Sequence, residues 1–246
     1  CIMLPPRGKV VMSTKSFLSQ SIHTILSKGT GLILVFAAGI VTARWLGPEG
    51  KGVVALYQAL AMMIFPIAEL GVRQSTAYLL GKNQSRDAEV YSNMQGIYFV
   101  VAVAAFGALL FAYSATGLLT KYGWLMALVF GAVVPLLLFE SYHNGVFISK
   151  KQIERMNYLV MLDKFASMIF LVALIIFCNM QVLGAGLAYL FSRIICFSLL
   201  VYWLKKEIKI SPKFNWDIWS DLLKHGILFS IALFVIQLNY RFSFLL

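Results

Sequence analysis

Residues 93–116 read NMQGIYFVVAVAAFGALLFAYSAT, and residues 123–147 read GWLMALVFGAVVPLLLFESYHNGVF. The first stretch carries no charged side chain and the second only Glu140. At 1.5 Å per residue, either stretch wound as a helix is about 36 Å long, enough to cross about 30 Å of hydrocarbon. A helix lying on a water-soluble domain keeps a polar face, and neither stretch has one. Working outward, five more runs qualify: 29–46, 53–80, 158–178, 183–204 and 227–246. The whole chain is 60% hydrophobic and 13% charged, with a mean hydropathy of +0.81, where a soluble domain is about a quarter charged. The expected fold class is therefore an all-α membrane protein, a polytopic helical bundle of about seven transmembrane helices. A soluble enzyme, a disordered chain and a disulfide scaffold are excluded.

The net charge of +11 would suggest nucleic acid in a soluble protein, but in a membrane protein basic excess marks cytoplasmic loops. With the N-terminus inside, the inner segments carry thirteen Lys and Arg, and the outer segments only Arg44, Lys51 and Lys121. That asymmetry orients the N-terminus toward the cytoplasm, with no nucleic-acid partner expected. Cys1, Cys178 and Cys196 are scattered, and His23, His143 and His225 have no ligands at metal spacing, so no metal site and no cofactor are expected. Residues 1–11 precede Met12-Ser13-Thr14 without periodicity and read as a leader that is not native.

The final run ends at Leu246 without a charged stop, which reads as a truncation. Shifting the chain by 197 residues places Leu26 on Leu223, Gly29 on Gly226 and Arg44 on Arg241. Residues 227–246 would then open a second copy of a six-helix unit, as in transporters built from internal repeats.

Three motifs carry a family resemblance: Ala43 to Gly52 (ARWLGPEGKG), Glu69 to Ser75 (ELGVRQS) continuing to Tyr78 and Lys82, and Leu223 to Gly226 (LKHG) with Asn239-Tyr240-Arg241. Over 12–246 the chain resembles the N-terminal half of the polysaccharide transporter branch, the lipid-linked oligosaccharide flippases, of the multidrug/oligosaccharidyl-lipid/polysaccharide exporter superfamily. One departure is that Phe242 and Ser243 follow Arg241 where the family usually has an acid, so no coupling role passes to that point. The resemblance implies a multi-pass protein of the bacterial inner membrane, with two lobes in an inverted V around a central cavity. Residues 12–204 would form the first six-helix lobe, 205–226 a basic amphipathic cytoplasmic linker, and 227–246 the first helix of the second lobe. It implies an undecaprenyl-diphosphate-linked glycan as substrate, flipped without bond breakage, with membrane lipid and a polysaccharide polymerase or glycosyltransferase as partners.

A diphosphate head crossing hydrocarbon needs fixed cations, and an intramembrane ionisable residue costs enough on insertion to be a functional candidate by default. Arg73, Lys28, Gln74 and Arg241 are the candidate substrate-binding residues. Glu69, Glu140, Asp163 and Arg193 are the candidate ion-coupling or structural groups. Glu69 and Arg73 have the i,i+4 spacing of a helical ion pair, and Asp163 lies at a depth that suits Arg193. Pro66, Gly71 and Pro135 are candidate hinges, since proline removes a helical donor and clashes with the preceding turn. Small residues at Gly31, Gly39 and Gly107 would permit close helix approach.

No phosphate-binding glycine loop and no nucleophile–base pair is legible. Two alternatives stay open. A multidrug cation antiporter of the same superfamily should show surplus cavity carboxylates. A membrane-embedded glycan polymerase or ligase should have a large outer loop, and the outer joints here are short.

Overall fold

The computed structural model describes residues 14–82, 87–207 and 214–242, with side chains over 29–82, 87–205 and 214–231. The leader 1–11 and the side chains of Lys28 and Arg241 lie outside the described residues. The described elements are all helical: α1 (Thr14–Glu69), α2 (Val72–Lys82), α3 (Asp87–Ala115), α4 (Leu118–Ser149), α5 (Ile153–Leu171) running into a π-helical turn (Val172–Phe177), α6 (Gln181–Glu207) and α7 (Trp216–Phe242). Among the described residues, five helical stretches are long and apolar enough to cross a membrane, and the first, Gly29–Lys82, has 54 residues.

That first stretch is not one rod. Gly47 takes φ 68° and ψ −179°, outside helical space. A straight helix would separate Leu34 from Met62 by about 42 Å, yet both line one cavity, so the two arms fold back on each other. The local cause is Gly47-Pro48-Glu49. Glycine tolerates the positive φ, proline holds its predecessor extended and suits a first helical position, and an acid follows in the first turn. A second break comes at Leu70 (φ 49°) and Gly71 (φ 63°). The backbone stays helical at Pro66 and Pro135, and the non-helical residue inside α4 is Gly123. Proline bends a helix whose remaining bonds persist, whereas paired positive-φ residues end it.

The core runs along α4, whose buried side chains recur from Leu118 to Phe147 and which touches α1, α2, α3, α5 and α6. Tyr57 stacks on Phe130 at 4.6 Å and meets Tyr113 edge-on at 4.7 Å. The Tyr113 hydroxyl donates to the Tyr57 carbonyl at 3.3 Å, so a buried polar tip is satisfied within an apolar cluster. The outside is greasier than the inside: Phe36, Ile67, Val103 and Phe111 are each more than 70% exposed. Meanwhile Ser75, Thr76, Asn93, His143 and Ser192 are buried. A shell of exposed apolar side chains around a partly polar interior is the arrangement for lipid, where backbone groups are satisfied within helices. The chain is a multi-pass membrane protein.

Close helix approach falls elsewhere than at Gly31, Gly39 and Gly107. A Cβ at Gly39 or Gly107 would meet nothing within 4 Å, and one at Gly31 only the Lys164 stem at 4.0 Å. The tight crossings are Gly186 against Phe130, Gly145 against the Arg73 carbonyl, and Gly226 against Leu70 and Gly71. Helix α7 also starts inside the stretch read as linker. Asn215 Oδ1 accepts from Asp217 N at 3.0 Å, starting the helix at Trp216. Its basic surroundings concealed this start, because charge density reads as loop.

Candidate functional site

Two clusters of ionisable side chains flank α4. The first lies at the Leu70–Gly71 break. There the last carbonyls of α1 lose their helical donors; Tyr142 OH on α4 donates to one of them, Ala68 O, at 3.0 Å, and the neighbouring Ser141 Oγ donates to the Glu69 side chain at Oε1, at 2.6 Å. On the other side of the break, the Gly71 carbonyl accepts from Gln74 N and Ser75 N, both at 3.1 Å, which starts α2. Arg73 Nε reaches Glu69 Oε1 at 3.4 Å. In the amide orientation that satisfies both ends, Gln74 donates to Gly71 O at 3.2 Å and accepts from Arg73 Nη2 at 3.1 Å. The Arg73 side chain remains 35% exposed, against 17% for Glu69. Its guanidinium is therefore steadied along one edge and open on the rest.

The second cluster faces a cavity of about 430 Å³ between the arms of α1 and helices α4, α5 and α6. The walls are largely apolar, including Leu34, Val54, Phe130 and Leu137, and the floor holds Gln58, Asp163, Lys164, Ser167, Tyr189 and Arg193. Arg193 Nη1 binds Glu140 Oε2 at 2.6 Å and Nη2 binds Asp163 Oδ2 at 2.8 Å. Lys164 Nζ lies 3.2 Å from Asp163 Oδ2, and Ser192 Oγ donates to Asp163 Oδ1 at 3.0 Å. Each carboxylate thus has its cation, which is what burial of an ion pair requires.

Glu69 and Arg73 are together, as are Asp163 and Arg193, and Glu140 is drawn into the second group. Depth and spacing point to the two pairs, but nothing along the chain says that Glu140 on α4 faces α6. Among the described residues the intramembrane charges balance, with Glu69, Glu140 and Asp163 against Arg73, Lys164 and Arg193. Any cationic surplus rests on Lys28 and Arg241, whose side chains lie outside the described residues.

A third polar group, not singled out from the sequence, joins α3 and α4. His143 is buried and donates from Nδ1 to Phe139 O at 2.6 Å. Its Nε2 is left to accept from Gln95 Nε2 at 2.8 Å and Tyr91 OH at 3.2 Å. The i,i+4 pair Tyr91 and Gln95 was the available signal. This group cross-links helices, and among the described residues no set of His, Cys, Asp and Glu can hold a metal.

Fold and clusters together define a multi-pass membrane helical bundle with charged groups between its helices and a cavity beside them. The comparisons narrow the class. A model of the polysaccharide biosynthesis protein family matches residues 17–246, and the chain belongs to that family. No curated protein matches it. Among solved structures, a MATE in the straight conformation matches with a TM-score of 0.73 and 20% identity over 92% of this chain and 54% of that one. A MATE in the bent conformation matches with 0.69 and 22%, again over 92% and 54%. A MOP superfamily transporter from Pyrococcus furiosus matches with 0.67 and 19% over 90% and 54%. At these identities the likeness gives the fold, and the chain spans about half the length of the solved structures it matches.

Proposed function

We propose that this chain is the first lobe, with the opening helix of the second, of a transporter that flips an undecaprenyl-diphosphate-linked oligosaccharide across the bacterial inner membrane by alternating access. In this reading seven spans cross the membrane, the N-terminus is cytoplasmic, and the two lobes meet in an inverted V. No bond is broken, so the protein acts as a carrier and not an enzyme. Membership of the polysaccharide biosynthesis family supports the glycan cargo.

The observation that carries the reading is Arg73. It sits beside the break between α1 and α2, is held along one edge by Glu69 and Gln74, and keeps a third of its surface free. A guanidinium so steadied binds phosphate oxygens in pairs with little further loss of side-chain freedom. Lys28, Gln74 and Arg241 would extend the same path. The break at Gly71, between the proline-bent segments at Pro66 and Pro135, would let α2 tilt during access. A polymerase or glycosyltransferase handing over the lipid-linked glycan is the natural partner.

The test is Arg73→Ala in the full-length protein. Surface polysaccharide should be lost while membrane abundance is unchanged. Normal polysaccharide would remove Arg73 from the pathway. A cation antiporter remains the second reading, because the P. furiosus structure is described as having a binding pocket of reversed polarity that suggests a different function. This fold is therefore not tied to one cargo charge. Against the antiporter, the buried carboxylates described here already have internal partners.

A further inference from the structure

We infer that Arg193 is a built-in counter-ion that occupies the place an exchangeable cation would take between Glu140 and Asp163. Two carboxylates from different helices, α4 and α5, converge on one guanidinium from α6 at 2.6 and 2.8 Å. Each terminal nitrogen serves a different carboxylate, a geometry that the planar fork of arginine provides and a point-charge ammonium does not. Remove that side chain and two carboxylates from neighbouring helices face the space it leaves.

Arginine cannot leave by diffusion, and it does not lose its proton at any physiological pH. The charge count closes as well. Glu140 and Asp163 stand against Arg193 and Lys164, so the cluster is neutral. Lys51 on the cavity lining adds positive charge. A sodium ion arriving here would meet no net attraction. Asp163 in particular is filled on both oxygens, by Ser192 on one and by Arg193 and Lys164 on the other. Binding of a monovalent cation between Glu140 and Asp163 therefore takes no part in conformational change, whatever cargo the protein carries. The inference goes beyond the flippase reading and does not rest on it.

The purified full-length protein is melted in detergent while sodium chloride replaces choline chloride at constant ionic strength. The wild-type melting temperature should stay flat. Arg193→Gln should melt lower and regain stability saturably with sodium, by about 3 °C or more at tenfold over its dissociation constant. Arg193→Met, which also removes the charge but keeps more of the side-chain volume, provides a second variant should Arg193→Gln fail to fold, and it should also respond to sodium. A saturable sodium response in the wild type that disappears in Asp163→Asn overturns the inference. So does a folded Arg193→Gln or Arg193→Met with no response. Because melting is read without cargo, loss of transport in Arg73→Ala neither supports nor weakens this result.

Discussion

The crossing of α2 and α4 at Gly145 gives a test of the fold that needs no knowledge of the cargo. In Gly145→Ala the added methyl would land on the Arg73 carbonyl oxygen and 3.1 Å from the Thr76 Cβ. A carbon normally keeps about 3.3 Å or more from a carbonyl oxygen, so α2 would have to retreat by about 1 Å. It has nowhere to go, since its far side is pressed on α7, where a Cβ at Gly226 would in turn meet Leu70 and Gly71 backbone. Overpacking of this kind costs about 1–3 kcal/mol. Gly107→Ala is the control: it also lies within a helix, and its new methyl would meet nothing within 4 Å. Both substitutions gain the same helix preference, up to about 1 kcal/mol, so their difference isolates the steric cost. At about 2–4 °C per kcal/mol for a chain of this size, Gly145→Ala should melt several degrees below Gly107→Ala in detergent. Equal melting, or the reverse order, would refute the packing of α2 between α4 and α7.

Arg193→Ala leaves Glu140 without a cation and should cost about 3–5 kcal/mol. A second substitution, Glu140→Gln, should restore more of that loss than Asp163→Asn, because Asp163 keeps Lys164 and Ser192; chemical or thermal unfolding of the two double variants reads the order directly. Tyr113→Phe removes a buried donor to the Tyr57 carbonyl and should cost about 1 kcal/mol, measurable as a lower melting temperature with transport retained. Tyr91→Phe removes one of the two donors to His143 Nε2 and should destabilise by a similar amount, whereas abolished transport with unchanged stability would argue that the Tyr91 hydroxyl acts on cargo.

The spans were legible because lipid demands uninterrupted apolar length, and the reversal at Gly47-Pro48 was legible because those two residues punctuate any helix. The pairing of Asp163 with Arg193 could be anticipated from depth, and that of Glu69 with Arg73 from spacing. What stayed hidden concerns rotation about each axis. In a helix apolar on every side, as α3 and α4 are, sequence does not mark which stripe packs inward, so Gly145 and Gly186 were indistinguishable from Gly39 and Gly107 before their neighbours were known. The inclusion of Glu140 in the Arg193 group and the His143 cross-link were hidden for the same reason. At the Leu70–Gly71 break, Gly71 stood among the candidate hinges, whereas Leu70, which shares the positive φ, carries no sequence signal.

The reversal at Gly47 leaves a single residue between the two arms of α1. With no slack at the bend, neither arm can slide lengthwise past the other, and the pair must pivot as a two-legged strut. Leverage applied to the first leg is thereby delivered to the foot of the second at Glu69, across the break from Arg73.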